Sequence, residues 1–231
     1  MTPSDADPTS RHDAWDDPRV QAGMATLLES RRRLLDDGAK PIGWKLAFGT
    51  EAAKDALGLN GPLVGFLTDR TLIASGGACP IAGWTAPKLE PEIAIHLGPG
   101  GEGVAGISPA IELADADLPP TETETVLAGD IYHRAVVLDP TATPVTPAPP
   151  LAARIERDGE QIAATDDAEA TVGKLDELAA YVVRYLAEFG ESTAEGEVII
   201  SGSMVGLLDI APGDRLRHDL FGVGALEITI T

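Results

Sequence analysis

The chain of 231 residues has little positive charge, with 17 Lys and Arg residues against 37 Asp and Glu and a formal net charge of −20. This surplus of negative charge argues against nucleic acid and against anionic membranes as partners. Apolar runs are all shorter than the roughly 18 residues of a membrane span. The polar N-terminus lacks the apolar stretch of a secretory signal, so the cytoplasm is the expected compartment.

Cysteine is also scarce, and a single residue, Cys79, excludes an intramolecular disulfide framework. A free cysteine is more often a small buried residue than a nucleophile, so packing is its expected role. The sequence has no glycine-rich phosphate loop after a predicted strand and no Cys/His spacing typical of zinc sites. Its hydrophobic content of 44% suffices for one large domain or two small ones.

The residues that follow the polar N-terminus predict two helices. Asp17 and Pro18 are typical of a helix start, and apolar residues at helical spacing continue to Gly38, where this helix is expected to end. A shorter helix is predicted over residues 50–57, with Thr50 as its N-terminal cap.

From residue 61 onward the sequence consists of short apolar runs separated by glycine and proline, which is typical of β-strands. A hairpin is predicted with its turn at Asp158-Gly159, and one long helix is predicted over residues 171–189. We therefore expect an α+β, mainly β chain. Residues 1–60 are assigned to a tail and helical segment, and residues 61–231 to the catalytic β domain.

Two glutamates interrupt the strand-like stretch "PKLEPEIAIHLG", where Glu90 and Glu92 share one face. Glu112 stands in a similar apolar run, "SPAIELAD". Neighbouring carboxylates repel one another, which raises their pKa values unless something neutralises them. The residues alone leave two explanations open. One is a solvated sheet edge, which Pro91 would suit; the other is a bound Mg²⁺ or Mn²⁺, which oxygen ligands favour over zinc or copper.

Five motifs, in this order, carry a resemblance to a known family. They are "GWK", "GFLTD", "KLEPEIAIHLG", "PAIELAD" and "VIISGS" followed by "PGD". Together they resemble the fumarylacetoacetate hydrolase superfamily, and within it the branch of 2-keto-4-pentenoate hydratases and 4-oxalocrotonate decarboxylases. The likeness extends from about residue 17 to the C-terminus.

The resemblance implies a mixed β-sandwich or roll with helices packed around it, including the N-terminal helical segment and the one long helix. It also implies a homo-oligomer, a 2-oxo acid as the small-molecule substrate, and Mg²⁺ or Mn²⁺ as the cofactor. The implied site residues are Glu90, Glu92 and Glu112 for the metal, Lys45 and Asp69 for catalysis, and Ser201 and Ser203 beside the substrate.

The chemistry of a 2-oxo acid suits such a site. A divalent cation polarises the keto group and stabilises the enolate that forms, an intermediate common to hydration, decarboxylation and C–C cleavage. Near such an ion, Lys45 is expected to have a lowered pKa and to transfer protons. By residue type alone, Lys45 could equally be a surface lysine after Trp44.

The segment "GDIYHRAVV" departs from the resembled hydratases, which usually have a stretch like Asn-Ala-Ser-Ser-Gly there. Tyr132, His133 and Arg134 are bulkier and more basic, and we expect them to line the mouth of the pocket. His133 and Arg134 are the predicted partners of a second substrate carboxylate, which would make a dicarboxylic 2-oxo acid the preferred substrate. The alternative is that Arg134 pairs with one of the many acidic side chains.

These patterns predict a metal-dependent lyase, either a hydratase or a decarboxylase. One alternative is an acylpyruvate-type hydrolase. Such an enzyme needs a His/Glu pair to activate water, and His12 in the polar tail is a poor candidate for it. The other alternative is a non-catalytic relative that binds a small acid, against which the presence of Lys45 and Asp69 argues.

Overall fold

The computed structural model describes residues 13–139 and 144–231, so His12 lies outside the described residues. The helices are α1 (Pro18–Asp36), α2 (Glu51–Leu57), α3 (Thr123–Ala128), α4 (Glu169–Val172) and α5 (Leu175–Glu188). No helix in these two ranges is long and apolar enough to cross a membrane. The strands are β1 (Pro41–Ala47), β2 (Leu63–Thr68), β3 (Leu72–Ala74), β4 (Gly77–Cys79), β5 (Pro87–Leu97), β6 (Val104–Asp115), β7 (His133–Leu138), β8 (Ala153–Arg157), β9 (Glu160–Thr165), β10 (Val198–Ile200), β11 (Leu208–Asp209), β12 (Arg215–Leu220) and β13 (Gly224–Ile230).

The two N-terminal helices are confirmed together with their caps. The Asp17 side chain accepts a hydrogen bond from the backbone N–H of Arg19 at 2.8 Å, at the start of α1. The Thr50 hydroxyl accepts one from the N–H of Ala53 at 3.2 Å, at the start of α2. Each cap satisfies a backbone donor that the first turn of a helix would otherwise leave free.

The long helix predicted over residues 171–189 is confirmed as α5, but its predicted start is wrong, because residues 169–172 form the separate helix α4. Gly173 has a φ of 99° and Lys174 is extended, so the helical hydrogen bonds cannot continue across them. The predicted hairpin is confirmed as β8 and β9. Its turn residues Asp158 and Gly159 both have positive φ, as a tight two-residue hairpin turn requires.

In the described residues, eight strands form the larger sheet and five form the smaller one. The order of the larger sheet is β2-β1-β10-β5-β6-β7-β3, with β11 also paired to β5, and that of the smaller is β4-β13-β12-β8-β9. The periodicity of the N-terminal segment does not predict β1. β1 joins that segment to the larger sheet, where it lies between β2 and β10.

The larger sheet curls back on itself. Its two edge strands, β2 and β3, are consecutive in the chain and are joined by residues 69–71 alone. The four Cα–Cα steps from Thr68 to Leu72 span at most about 14 Å, so the two edges must approach each other. The interior face of this roll carries Lys45, Glu92 and Glu112 beside a small apolar cluster, which consists of Leu67, Ala94, Ala110, Val136, Val198 and Ile200.

Two larger apolar clusters hold the roll in place. One packs helices α1, α3 and α5 against the sheet and includes Trp44, Ile93 and Tyr185. The other lies between the two sheets and includes Leu89, Ile111 and Ile228. Cys79 is buried in the second cluster, as expected for a packing residue.

The sheet-edge explanation of Glu90 and Glu92 is wrong, because β5 lies inside the larger sheet between β6 and β10. Pro91 is tolerated there for a local reason. Its carbonyl accepts from the N–H of Met204 at 3.1 Å, so residue 91 faces the irregular segment between β10 and β11. Regular ladder pairing is interrupted on that side, and the missing N–H of proline leaves no gap in it.

The glycine of "GWK" is required by the close approach of β1 to β10. A Cβ atom on Gly43 would lie 1.9 Å from the carbonyl oxygen of Val198, and the φ of Gly43 is +151°. We expect Gly43→Ala to lower the melting temperature by roughly 5 °C or more, since overpacking costs about 1–3 kcal/mol. Gly49→Ala is the matched control, because its Cβ would meet only Pro62, at 3.9 Å. Equal melting temperatures for the two variants would contradict this explanation.

Candidate active site

The pairing of β5 with β6 brings the three glutamates to one face of the roll. Glu90 lies directly opposite Glu112, and Glu92 lies opposite Ala110, two residues further along. The side chains of Glu92 and Glu112 are fully buried, whereas Glu90 is half-buried. The antiparallel register thus makes Glu92 and Glu112 neighbours in the sheet, although they are twenty residues apart in the sequence.

Glu112 is held by a lysine and a histidine. The Lys45 ammonium group donates to Glu112 Oε1 and, at 2.9 Å, to the carbonyl oxygen of Ile131. His133 Nδ1 lies 2.8 Å from the same Oε1, while its Nε2 lies 2.9 Å from the Thr71 hydroxyl. Lys45 is buried, so the interpretation of this residue as a surface lysine is wrong.

Asp130 is a further acid beside Lys45, and the motifs do not point to it. Its Oδ1 accepts from the backbone N–H of Phe66 at 3.0 Å. A Cβ atom on Gly65 would lie 2.5 Å from Asp130 Oδ1 and 2.8 Å from Lys45 Cγ. The glycine of "GFLTD" therefore leaves the space in which the aspartate and the lysine stem meet.

The backbone at this point adopts an uncommon conformation. Asp130, Ile131 and Tyr132 have φ values of 58°, 50° and 66°, which are unfavourable for residues with side chains, above all for a β-branched isoleucine. This turn aims the Ile131 carbonyl at Lys45 and the Asp130 carboxylate at β2. The local cost is offset by these two contacts.

The segment Ser201-Gly202-Ser203, from the motif "VIISGS", contacts the site beside Glu92. The N–H of Gly202 donates to Glu92 Oε2 at 2.7 Å. The Ser201 hydroxyl accepts from the N–H of Ile93 and donates to the Gly202 carbonyl, and Ser203 donates to the Gly206 carbonyl. Both serines line the cavity described below, but their hydroxyl groups also fix the loop that positions Glu92.

The three glutamates have unequal pKa values. Burial, together with the charge of Glu112, raises the pKa of Glu90 to about 7. Burial and the charges of the other two glutamates raise the pKa of Glu92 well above its usual value. Burial acts on Glu112 in the same direction, but Lys45 and His133 outweigh it and lower its pKa.

The lowering of the Lys45 pKa expected beside a bound divalent cation stays a prediction; without the ion, the charges around Lys45 act in the opposite direction. Burial alone would lower this pKa, but the negative charges of Glu112, Glu90 and Asp130 outweigh burial and raise the pKa of Lys45. At neutral pH the lysine is therefore an ammonium group, able to give a proton. Asp130 differs again, because its enclosure by protein atoms raises its pKa to about 6.

The donors fit a divalent cation. Glu92 Oε1 is buried without a hydrogen-bond partner, and one lysine does not balance the charge of three carboxylates. Carboxylate oxygens are the ligands that Mg²⁺ and Mn²⁺ prefer. In the described residues, however, no group of three His, Cys, Asp or Glu side chains converges as a finished metal site, and Glu112 is turned toward Lys45 and His133.

A cavity of about 360 Å³ opens above these groups. Lys45, Glu90, Ser201 and Gly202 form its polar floor. Its walls include the loop after β1, parts of α2 and α4, and Ser203, Gly206 and Leu207. The apolar residues lining it are Ala47, Phe48, Ala53, Ala114, Ala116, Ile131, Tyr132, Val172 and Leu207.

The structure does not bring Asp69 to this site. Asp69 is exposed beyond the far end of β2, four residues from the Gly65 that pairs with Lys45, a span of about 13 Å. Its carboxylate accepts from the backbone N–H of Lys40 at 2.9 Å, which is a structural role. Within the same motif "GFLTD", the residue that lies at the site is Gly65, beside Lys45 and Asp130.

His133 and Arg134 do not form the mouth of the pocket. His133 is buried behind Glu112, and neither side chain borders the cavity. The Arg134 guanidinium donates to the His133 carbonyl at 3.0 Å and faces Asp117 at 3.7 Å, which is the pairing with an acidic residue given above as the alternative. Tyr132 does line the cavity, with its hydroxyl donating to the Leu118 carbonyl.

Comparison with known sequences gives relatives over most of the chain, although no family model matches it. The 4-oxalocrotonate decarboxylase of a Pseudomonas species is 25% identical over 225 residues, which cover 92% of this chain and 87% of that protein. The 2-hydroxyhexa-2,4-dienoate hydratase of Comamonas testosteroni is 29% identical over 214 residues, covering 84% and 80%.

Solved structures of related enzymes align with this chain over most of its length. The 4-oxalocrotonate decarboxylase of Pseudomonas putida G7, complexed with magnesium and adipate, aligns with a TM-score of 0.80 at 22% identity, over 94% of this chain and 87% of that one. The fumarylpyruvate hydrolase of Pseudomonas aeruginosa, in complex with Mn²⁺ and pyruvate, aligns with a TM-score of 0.62 at 17% identity, over 83% and 89%. The chain therefore has the fumarylacetoacetate hydrolase fold. Its sequence relatives are hydratases and decarboxylases of that superfamily, which confirms the resemblance seen in the motifs.

Removal of one carboxylate tests the metal assignment. We expect Glu92→Gln to weaken Mg²⁺ binding by about tenfold or more, because changes even to outer partners of a metal cost about 10- to 100-fold. Calorimetric titration of the metal-free protein measures this. Glu102→Gln, on an exposed residue, is the matched control. If both variants bind Mg²⁺ like the unaltered protein, Glu92 is not a ligand.

The raised pKa of Glu90 predicts a pH dependence. A carboxyl group with a folded-state pKa near 7, above its usual value of 4.5, stabilises the metal-free protein at low pH and loses that contribution as the pH rises through 7. Metal ligation needs the ionised form. The rise in melting temperature on adding Mg²⁺ should therefore be larger at pH 8 than at pH 5.5, and Glu90→Gln should reduce that difference. An equal rise at both pH values would argue against ligation by Glu90.

Proposed function

We propose that this protein is a divalent-metal-dependent lyase that acts on a 2-oxo acid, by hydration or by decarboxylation. One observation carries the proposal. A buried, protonated lysine and clustered, incompletely neutralised carboxylates form the floor of an otherwise apolar cavity. The named relatives, a decarboxylase and a hydratase, support the same reaction classes.

Lys45 is the proposed proton donor. Its ammonium group has three N–H bonds, and two of them are directed at Glu112 and at the Ile131 carbonyl. Since Lys45 also borders the cavity, the third bond is available to a bound substrate. Glu112 and Asp130 keep the lysine protonated until it gives its proton to the reacting acid.

Glu90, Glu92 and Glu112 would hold the metal, which we propose to be Mg²⁺ or Mn²⁺. Such an ion supplies electrophilic polarisation of the keto group and charge stabilisation of the enolate. Gly202 and Ser201 orient Glu92, and His133 orients Glu112, so these two carboxylates are fixed before substrate arrives. The apolar walls exclude water from these groups, which strengthens their electrostatic effect.

The hydrolase alternative lacks a specific observation in its favour. In the part of the chain that the structure describes, no histidine borders the cavity, and the His133–Glu112 pair faces Thr71 instead. The alternative of a non-catalytic small-acid-binding relative predicts binding without turnover. A screen of saturated and unsaturated 2-oxo acids with Mg²⁺ and Mn²⁺, followed by NMR, distinguishes the three functions. A lyase and a hydrolase give different products, and a binding protein gives none.

Exchange of the lysine tests its role. We expect Lys45→Met to lower kcat by about 10²-fold or more, the usual contribution of a general acid or base, while Mg²⁺ still binds. Lys54→Met is the matched control, since Lys54 pairs with Glu51 on α2 outside this cavity. Near-normal turnover in the Lys45 variant would refute the assigned role.

The resemblance also leads us to propose a cytoplasmic homo-oligomer, which light scattering of the purified chain would test for its subunit count. Tyr132, Ser203 and Leu207, which line the cavity, are the candidates for contact with the part of the substrate that lies beyond the metal.

A further inference from the structure

In the part of the chain that the structure describes, the cavity above the floor has no cationic side chain to pair with a second negative charge. Among the described residues that line it, Lys45 is the only cation, and its ammonium group is already bonded to Glu112. The other titratable groups of the lining are Glu90, itself an acid, and Tyr132. The walls that rise from buried Lys45 to exposed Leu207 are formed mainly by apolar side chains and small hydroxyl residues.

A group of three cations lies outside this cavity, in an adjoining vestibule of about 790 Å³. Two of its lysines are already paired. Lys54 bonds to Glu51, and Lys174 bonds to Glu169 at 2.6 Å. The third cation bordering the vestibule is Arg184. A carboxylate that stays in the cavity therefore meets apolar side chains, neutral hydroxyl groups and the acidic Glu90 rather than any of these three cations.

We infer that the substrate is a 2-oxo monoacid whose tail is apolar and uncharged, and that a dicarboxylic 2-oxo acid is disfavoured. The floor takes the 2-oxo carboxylate end, and the wall formed by Phe48, Ala53, Tyr132, Val172 and Leu207 takes the tail. A second carboxylate would lose its hydration there without a compensating charge. This inference rests on the proposed function and reverses the diacid preference expected from His133 and Arg134.

The inferred substrate class also distinguishes the two reactions. A monoacid has no second carboxylate to release as CO₂. Hydration remains open to it: one water adds a proton to one carbon of a carbon–carbon double bond and a hydroxyl group to another, with no oxidant or reductant. The inference thus favours hydration over decarboxylation for this chain.

Two acids of equal chain length test the inference in the Mg²⁺-loaded protein. 2-Oxohexanoate and 2-oxoadipate share the 2-oxo acid end, and only the latter ends in a second carboxylate. We expect calorimetry to show about tenfold or more tighter binding of 2-oxohexanoate, since an unpaired buried charge costs more than a lost neutral hydrogen bond. Tighter binding of 2-oxoadipate would overturn the inference, leave the proposed function standing, and point to Arg184 as the partner. Binding of neither acid would refute the proposed function itself.

A charge introduced into the wall provides a second test. Ala53 lies on α2 and lines the cavity with a half-buried side chain. Ala53→Arg should shift the affinity ratio toward 2-oxoadipate by about tenfold, the effect of a hydrogen bond to a charged group. Ala53→Met, of comparable length and no charge, should leave the ratio unchanged. If the arginine and methionine variants give the same ratio, the tail of the acid does not lie against this wall and the inference fails.

Discussion

The buried ion pair between Lys45 and Glu112 is the interaction on which the site depends. A buried pair of this kind is costly to desolvate and becomes favourable only when further contacts satisfy both groups. Here His133 and the Ile131 carbonyl supply those contacts. Glu90 and Glu92 add negative charge that no second lysine among the described residues balances, so the charge of this part of the roll is not neutralised. Such an imbalance opposes folding of the metal-free protein and is characteristic of functional sites.

The surrounding backbone is arranged to accommodate this pair. Gly65 has no side chain where the lysine stem and the Asp130 carboxylate meet, and Gly43 lets β1 approach β10 closely. The left-handed turn at residues 130–132 then delivers a carbonyl and a carboxylate to the same place. These constraints explain why two of the motifs begin with glycine, because each marks a contact that any side chain would block.

The sequence was sufficient for features that depend on local pattern. Alternation along β5 put Glu90 and Glu92 on one face, and capping residues marked α1 and α2 correctly. Features that depend on the pairing of strands distant in the sequence could not be predicted from local pattern. Asp130 and His133 reach the site only through the β6–β7 pairing and the irregular turn before it. Asp69 was misplaced because a motif gives order along the chain but not which end of a strand faces the cavity.

The site therefore separates into two parts with different structural origins. Its floor is built on paired strands, where each carboxylate is fixed by backbone register and by a neighbouring donor. Its walls come from α2, α4 and the connections after β1 and β10, which are less constrained by ladder hydrogen bonds. Substitutions in the walls can change the tail that is accepted without moving the groups that carry the chemistry. Relatives that share this floor can thus differ in substrate and in reaction, because the shared enolate chemistry is fixed by the strands while the tail is selected by the loops.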